Sequence, residues 1–138
     1  LVNYQRTNPS IKNLNYKKIL GYLKTINTQS REIILMNKKN ILEGCTTNII
    51  CVKNKTLYLP KNKYYFGTTL QFIVCNTKRR IVKKNINVKD LGLFDEILLV
   101  GSGKGVMKLQ NIPQVKWNSK SSIIFNELHD LYNSYITQ

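Results

Sequence analysis

Histidine is almost absent from this sequence: His129 is the only one. A single imidazole argues against a histidine-built metal site and against a Ser-His-Asp triad. His129 falls in an apolar-periodic segment near the end of the chain and reads as a surface or half-buried helix residue. Cysteine is scarce as well. Cys45, Cys51 and Cys75 show neither CxxC nor zinc-ligand spacing. Their odd number argues against a disulfide framework and fits a reducing compartment. No uninterrupted apolar run approaches a membrane span, and no signal-peptide pattern is present. The expected location is therefore cytoplasmic. The chain opens at Leu1 with no methionine, from which we expect a piece of a longer protein.

Acidic residues are few: 7 Asp and Glu stand against 22 Lys and Arg, a formal net charge of +15. Such a surface can serve nucleic acid or an anionic membrane. The cations are dispersed, however, at Lys17-Lys18, Lys38-Lys39, Lys53, Lys55, Lys61, Lys63, 78–80 and Lys83-Lys84. Most sit at element ends and turns, and they accompany abundant Asn, Ile and Tyr. That pattern favours compositional drift from AT-rich coding over a dedicated binding face. The aromatic-basic interleaving of RNA-binding motifs is also missing. A non-catalytic basic nucleic-acid-binding module stays as the alternative from another functional class.

What is present is enough for one domain with a core: 138 residues, 42% hydrophobic. Residues 1–11 read as extended, with a bend at Asn8-Pro9-Ser10. Tyr16, Ile19, Leu20, Leu23 and Ile26 recur at helical spacing. Apolar runs at 32–36, 41–44, 49–52 and 56–60, separated by polar turns, read as strands of an antiparallel meander. Thr68 or Thr69 is a good N-cap for an apolar segment over 70–74. An edge strand is expected over 80–88 and a helical turn over 90–94. A fully buried strand is expected at 97–100 and another strand over 106–112. Ser121-Ser122 precedes an amphipathic final helix. Strands and helices without regular βαβ alternation point to an α+β fold in a single domain over residues 1–138.

Four segments can carry chemistry, and each also has an ordinary structural explanation. Lys12 stands among polar residues just before a helix, where most lysines are solvated charges. Glu43 follows Ile41-Leu42 and precedes Gly44, so its carboxylate is either buried with a partner or exposed in a turn. Gly67-Thr68-Thr69 at a helix start offers free N–H groups to an anion, or is a plain cap. Gly101-Ser102-Gly103-Lys104-Gly105 after a buried strand fails the P-loop test, because Leu98 stands at the first glycine and Gly105 replaces the Ser/Thr. Its backbone amides and the Ser102 hydroxyl still suit an anion, as they suit an ordinary tight turn.

Taken in order, these segments resemble the large C-terminal domain of the class IV (fold type IV) pyridoxal 5′-phosphate (PLP) enzymes. Ile-Lys-Asn-Leu-Asn-Tyr at 11–16 is similar to the family's lysine motif. Leu-Glu-Gly-Cys-Thr-Thr-Asn at 42–48 resembles its Glu-Gly-x-x-Ser/Thr-Asn segment. Phe-Gly-Thr-Thr at 66–69 resembles its phosphate turn, and Asp-Glu-Ile-Leu-Leu-Val-Gly-Ser-Gly at 95–103 its second phosphate turn. The resemblance implies a D-amino-acid-aminotransferase-like fold, a mixed sheet or pseudo-barrel with flanking helices. It makes Lys12 the Schiff-base and catalytic lysine, Glu43 the partner of the pyridine nitrogen, and Tyr16 a contact of the ring hydroxyl. Gly67, Thr68, Thr69, Ser102 and Gly103 would take the phosphate. Two departures stand out. Leu70 replaces an arginine common after the phosphate-turn threonine, and Lys108 replaces a proline common after the glycine turn. Val100-Gly101-Ser102-Gly103 with the following Gly105-Val106 looks most like the eukaryotic aminodeoxychorismate lyases. Those convert 4-amino-4-deoxychorismate to 4-aminobenzoate and pyruvate for folate synthesis. A branched-chain or D-amino-acid aminotransferase is the alternative within the family. The family also implies a small-molecule substrate, a homodimer, and a smaller N-terminal domain that this chain does not contain.

Overall fold

The computed structural model describes residues 1–5 and 17–137; Lys12, Tyr16 and the Asn8-Pro9-Ser10 bend lie outside them. The elements run β1 (Val2–Asn3), α1 (Lys17–Leu23), β2 (Ile34–Asn37), β3 (Asn40–Gly44), β4 (Asn48–Lys53), β5 (Thr56–Leu59), α2 (Thr68–Asn76) and β6 (Ile81–Lys83). A 3-10 segment over Val88–Leu93 leads into β7 (Glu96–Gly101) and β8 (Gly105–Lys108). Then come β9 (Asn111–Ile112), a 3-10 turn at Pro113–Val115, β10 (Trp117–Asn118) and α3 (Ile123–Ile136). The α+β reading holds, with mixed sheets and flanking helices.

The organising sheet has the order β6-β5-β4-β7-β8. Its two central strands, β4 and β7, pair antiparallel from Asn48↔Val100 to Val52↔Glu96. Both are near-continuous apolar runs because both faces are covered. Ile49, Cys51, Ile97 and Leu99 pack into one core with Ile34, Ile41, Ile86, Phe94 and Trp117. Ile50, Val52, Leu98 and Val100 pack into another with Leu70 and Ile73 of α2 and Ile124 and Leu128 of α3. A smaller sheet, β1-β2-β3, stands beside it.

The meander expected over 32–60 does not form. β2–β3 and β4–β5 are hairpins, but β3 and β4 belong to different sheets. The Cys45–Thr47 turn, closed by Gly44 N donating to Thr47 O at 2.9 Å, carries the chain across. β4 then takes β7 as its partner, because a strand apolar on both faces is stable only between two other layers. Both hairpins turn tightly through left-handed residues, Lys38-Lys39 and Asn54-Lys55, as two-residue loops require.

Other expectations shift at their edges. α1 stops at Leu23, not at Ile26. Thr25 Oγ1 donates to the Tyr22 carbonyl at 2.6 Å and Thr25 N does so at 3.0 Å, which tightens the last turn and ends the helix. The edge strand expected over 80–88 shortens to Ile81–Lys83. The strand expected over 106–112 splits into β8 and β9.

The start of α3 is held from a distance. Ser122 is the N-cap but makes no side-chain cap hydrogen bond. The buried Glu96 carboxylate, at the start of β7, instead accepts from Ile124 N at 3.0 Å and Phe125 N at 2.8 Å. A negative charge on two free N–H groups of a helix N-terminus is favourable twice over, as cap and against the dipole. Glu96→Ala is therefore expected to cost about 3 kcal/mol, two charge-assisted bonds, measured by urea unfolding. A loss below about 1 kcal/mol would contradict the cap.

Candidate active site

β4 begins, β7 ends and α2 starts at one place, and a cavity of about 340 Å³ opens there. Its walls come from three segments distant in sequence. The β3–β4 turn supplies Glu43, Cys45, Thr46, Thr47 and Asn48; the α2 start supplies Gly67, Thr68 and Thr69; the turn after β7 supplies Gly101 and Ser102. Leu20 and Leu23 of α1 and Tyr65 complete it. Glu43 and Thr69, each under 5% exposed, are fixed by packing. Thr68 and Ser102 are exposed at the opening.

Asn48 fastens the α2 start to the sheet. Its amide nitrogen donates to the Tyr65 carbonyl at 2.6 Å, and its carbonyl oxygen accepts from Gly67 N at 3.1 Å. The approach is close enough that a Cβ on Gly67 would lie 2.9 Å from that oxygen. A Cβ on Gly101 would lie 3.0 Å from the Thr46 carbonyl oxygen, so the turn after β7 also packs tightly on the β3–β4 turn. The expected N-cap at Thr68 or Thr69 is corrected to Gly67, which makes no side-chain cap hydrogen bond. Thr69 lies inside the first turn instead, its Oγ1 3.5 Å from the Tyr132 hydroxyl of α3. The first amides of α2 are thus left without a side-chain cap, in the manner of an anion site. Gly67→Ala is expected to weaken anion binding in the cavity about 5- to 10-fold through the forced shift of Asn48, read by PLP titration.

Glu43 lines the same cavity. Nearby, burial and, second, the Glu43 charge push the Tyr64 phenol above its ordinary range. Among the described residues Glu43 is the single acidic one lining the cavity. A carboxylate together with backbone amides and hydroxyls in one cavity fits a ligand bearing a cationic ring nitrogen and a phosphate.

The cavity therefore gathers Glu43, Gly67, Thr68, Thr69 and Ser102. Gly103 is not in its wall; Gly101 takes that place. Lys12 and Tyr16 lie outside the described residues. Leu70, where the family commonly has arginine, is a buried core residue, and Lys108 Nζ donates to Ser122 Oγ. Asn48, Thr47 and Tyr65 were not singled out from the sequence; the Asn of the Glu-Gly-x-x-Ser/Thr-Asn segment was the available signal. A larger cleft of about 670 Å³ runs along Ile26 to Glu32 and Leu99 to Gln114. Leu99 of the 95–103 segment lies in its wall, but none of the predicted site residues among the described ones does, so chemistry and not size selects the smaller cavity. Among the described residues no cluster of His, Cys, Asp and Glu could hold a metal ion, and no helix is long and apolar enough to cross a membrane.

A family model, amino-transferase class IV, matches residues 1–112. A search of curated proteins finds no match. Among solved structures, a Legionella pneumophila protein assigned as a 4-amino-4-deoxychorismate lyase superposes with a TM-score of 0.83 at 18% identity, over 96% of this chain and 53% of that one. The 4-amino-4-deoxychorismate lyase from Pseudomonas aeruginosa gives 0.77 at 16%, over 91% and 48%. The Escherichia coli branched-chain amino acid aminotransferase gives 0.68 at 17%, over 75% and 37%. At such identities the likeness shows the fold, and the chain spans about half the length of these relatives or less. The match over 1–112, on a fold shared with these structures, places the chain in the amino-transferase class IV family, whose members depend on pyridoxal phosphate.

Proposed function

We propose that residues 1–138 are the PLP-binding domain of a lyase that converts 4-amino-4-deoxychorismate to 4-aminobenzoate and pyruvate. One observation carries the cofactor assignment: the 340 Å³ cavity unites Glu43, the Thr68 and Thr69 amides and Ser102, residues of three motifs from separate parts of the chain. Lys12 would hold the cofactor covalently. The chain enters α1 shortly after it, and Leu20 and Leu23 of α1 line the same cavity.

When bound, PLP supplies a protonated pyridine ring that withdraws electrons from the bonds of an amino substrate. The protein's part is positioning, charge and proton transfer. Glu43 keeps a proton on the ring nitrogen by placing a carboxylate against it. The α2 amides and Ser102 Oγ bind the phosphate, and the α2 dipole favours its charge. Lys12 must be neutral to attack, whereas a free lysine near pKa 10.4 is mostly protonated at neutral pH. Desolvation or a nearby cation lowers that value. Lys12 Nζ would also take the proton from the substrate carbon that bears nitrogen and return one later. Tyr16 would steady the ring hydroxyl.

The Val100-Gly101-Ser102-Gly103 turn with Gly105-Val106 favours the lyase, because it is where the sequence most resembles aminodeoxychorismate lyases. A branched-chain or D-amino-acid aminotransferase uses the same cofactor contacts and is the second reading. The test supplies 4-amino-4-deoxychorismate and follows 4-aminobenzoate and pyruvate. Equal formation of both products is expected. Transfer of an amino group from a branched-chain or D-amino acid, with no 4-aminobenzoate, would replace the lyase by the second reading. For assembly and location the proposal adopts the family's expectation, a cytoplasmic homodimer, checked by sedimentation.

A further inference from the structure

Glu32 has no role in the site as described so far, yet its carboxylate is among the most heavily used side chains near it. Oε2 accepts three bonds: Thr46 N at 3.1 Å, Thr46 Oγ1 at 2.8 Å and Thr47 Oγ1 at 3.0 Å. Oε1 accepts from Ile33 N at 2.9 Å. Thr46 and Thr47 line the cavity, while Glu32 lines the larger cleft. Glu32 thus stands behind the cavity wall and grips it. The gripped segment is the turn between Glu43 and Asn48. Glu43, next to the last residue of β3, and Asn48, which begins β4 and clamps the α2 start, both line the cavity. The distance between carboxylate and amide arm is therefore set by how this short turn is folded. Inside the turn the one backbone closure is Gly44 N to Thr47 O, and Thr46 is exposed. Without an outside acceptor, Thr46 N–H and both hydroxyls would be left to water.

Resting on the reading of this cavity as a PLP site, we propose that Glu32 is a positioning residue. It locks the Gly44–Thr47 turn and so fixes the spacing between the ring-nitrogen carboxylate, Glu43, and the phosphate-binding amides that Asn48 fastens. A carboxylate is required because four donors converge on two oxygens, and a hydrogen bond to an ionised acceptor is stronger than to a neutral one. Glutamine has one acceptor oxygen and cannot serve Ile33 N and the threonines together.

The test compares wild type with Glu32→Gln and Thr46→Val. It reads the PLP dissociation constant by spectroscopic titration, and hydrogen exchange of the Thr46 amide against amides of β4, β7 and α3. For Glu32→Gln, PLP affinity is expected to fall about 10-fold or more, and Thr46 exchange to quicken by a similar factor. The amides of β4, β7 and α3 should keep their protection. Thr46→Val, an exposed change that removes one of the four bonds, should weaken PLP about 3-fold, with little further loss when combined with Glu32→Gln. PLP affinity in Glu32→Gln within about twofold of wild type would overturn the proposal. So would a loss of protection spread evenly over all strands and helices. Wild-type protein that binds no PLP would overturn the cofactor reading and this proposal together. Binding by wild type that is unchanged in Glu32→Gln would overturn this proposal alone.

Discussion

Replacing Lys12 with alanine is expected to lower turnover by about a thousandfold or more. The residue has two tasks in the proposed mechanism, covalent attachment of the cofactor and proton transfer at the substrate carbon, and alanine removes both. A second readout does not depend on turnover. Borohydride treatment of wild-type protein with PLP should leave the cofactor on the peptide that contains Lys12, and Lys12→Ala should yield no such label. The proposed mechanism needs Lys12 neutral, and burial or a neighbouring cation would lower its pKa. Added free amines should restore part of the proton transfer in Lys12→Ala, since a small base can enter where the side chain has been removed. A label on Lys104, which lines the larger cleft, would move the cofactor out of the smaller cavity.

The second large effect belongs to Glu43. Glu43→Gln keeps the size of the side chain but removes the charge that holds a proton on the ring nitrogen. Loss of a preorganised charge of this kind costs about 100- to 1000-fold in rate, and PLP should still bind, because the phosphate contacts are untouched. A control needs no cofactor. Tyr64 is held above its ordinary pKa mainly by burial and further by the negative charge of Glu43. Ionising Tyr64 beside a carboxylate places two negative charges together, so Glu43→Gln should lower the Tyr64 pKa while burial keeps it above the ordinary value. Tyrosinate absorbance over a pH titration measures this. A Tyr64 titration unmoved by Glu43→Gln would contradict the proximity of the two groups.

Much of the scaffold was legible because it is written in local pattern. The runs that became β4 and β7 are apolar without alternation, and such strands have to be buried on both faces. Glu43 was marked by Ile41-Leu42 before it and Gly44 after it, and it is buried. His129 is a half-buried helix residue, tilted against Phe125 with ring centroids 5.3 Å apart. What sequence could not supply was partnership at a distance. Adjacent hairpins look like one meander until β4 chooses β7. Threonine is a better intrinsic cap than glycine, yet Gly67 is the N-cap because Asn48 approaches its amide too closely for a Cβ. Ser121-Ser122 looked sufficient to start α3, whereas the carboxylate that holds its N–H groups comes from Glu96, far back in the chain. Glu32 acts in the same way on Thr46 and Thr47. In each case a side chain is judged by neighbours that only the folded chain brings to it.

The central claim is that PLP sits in the smaller cavity, with its ring nitrogen on Glu43 and its phosphate on the α2 start. A crystal structure of the protein grown with PLP tests it most directly. The phosphate should lie among the Thr68 and Thr69 amides and Ser102 Oγ, the ring nitrogen against the Glu43 carboxylate, and the density should continue into Lys12 Nζ. PLP bound instead in the 670 Å³ cleft, or in the smaller cavity with its ring nitrogen turned away from Glu43, would contradict the account.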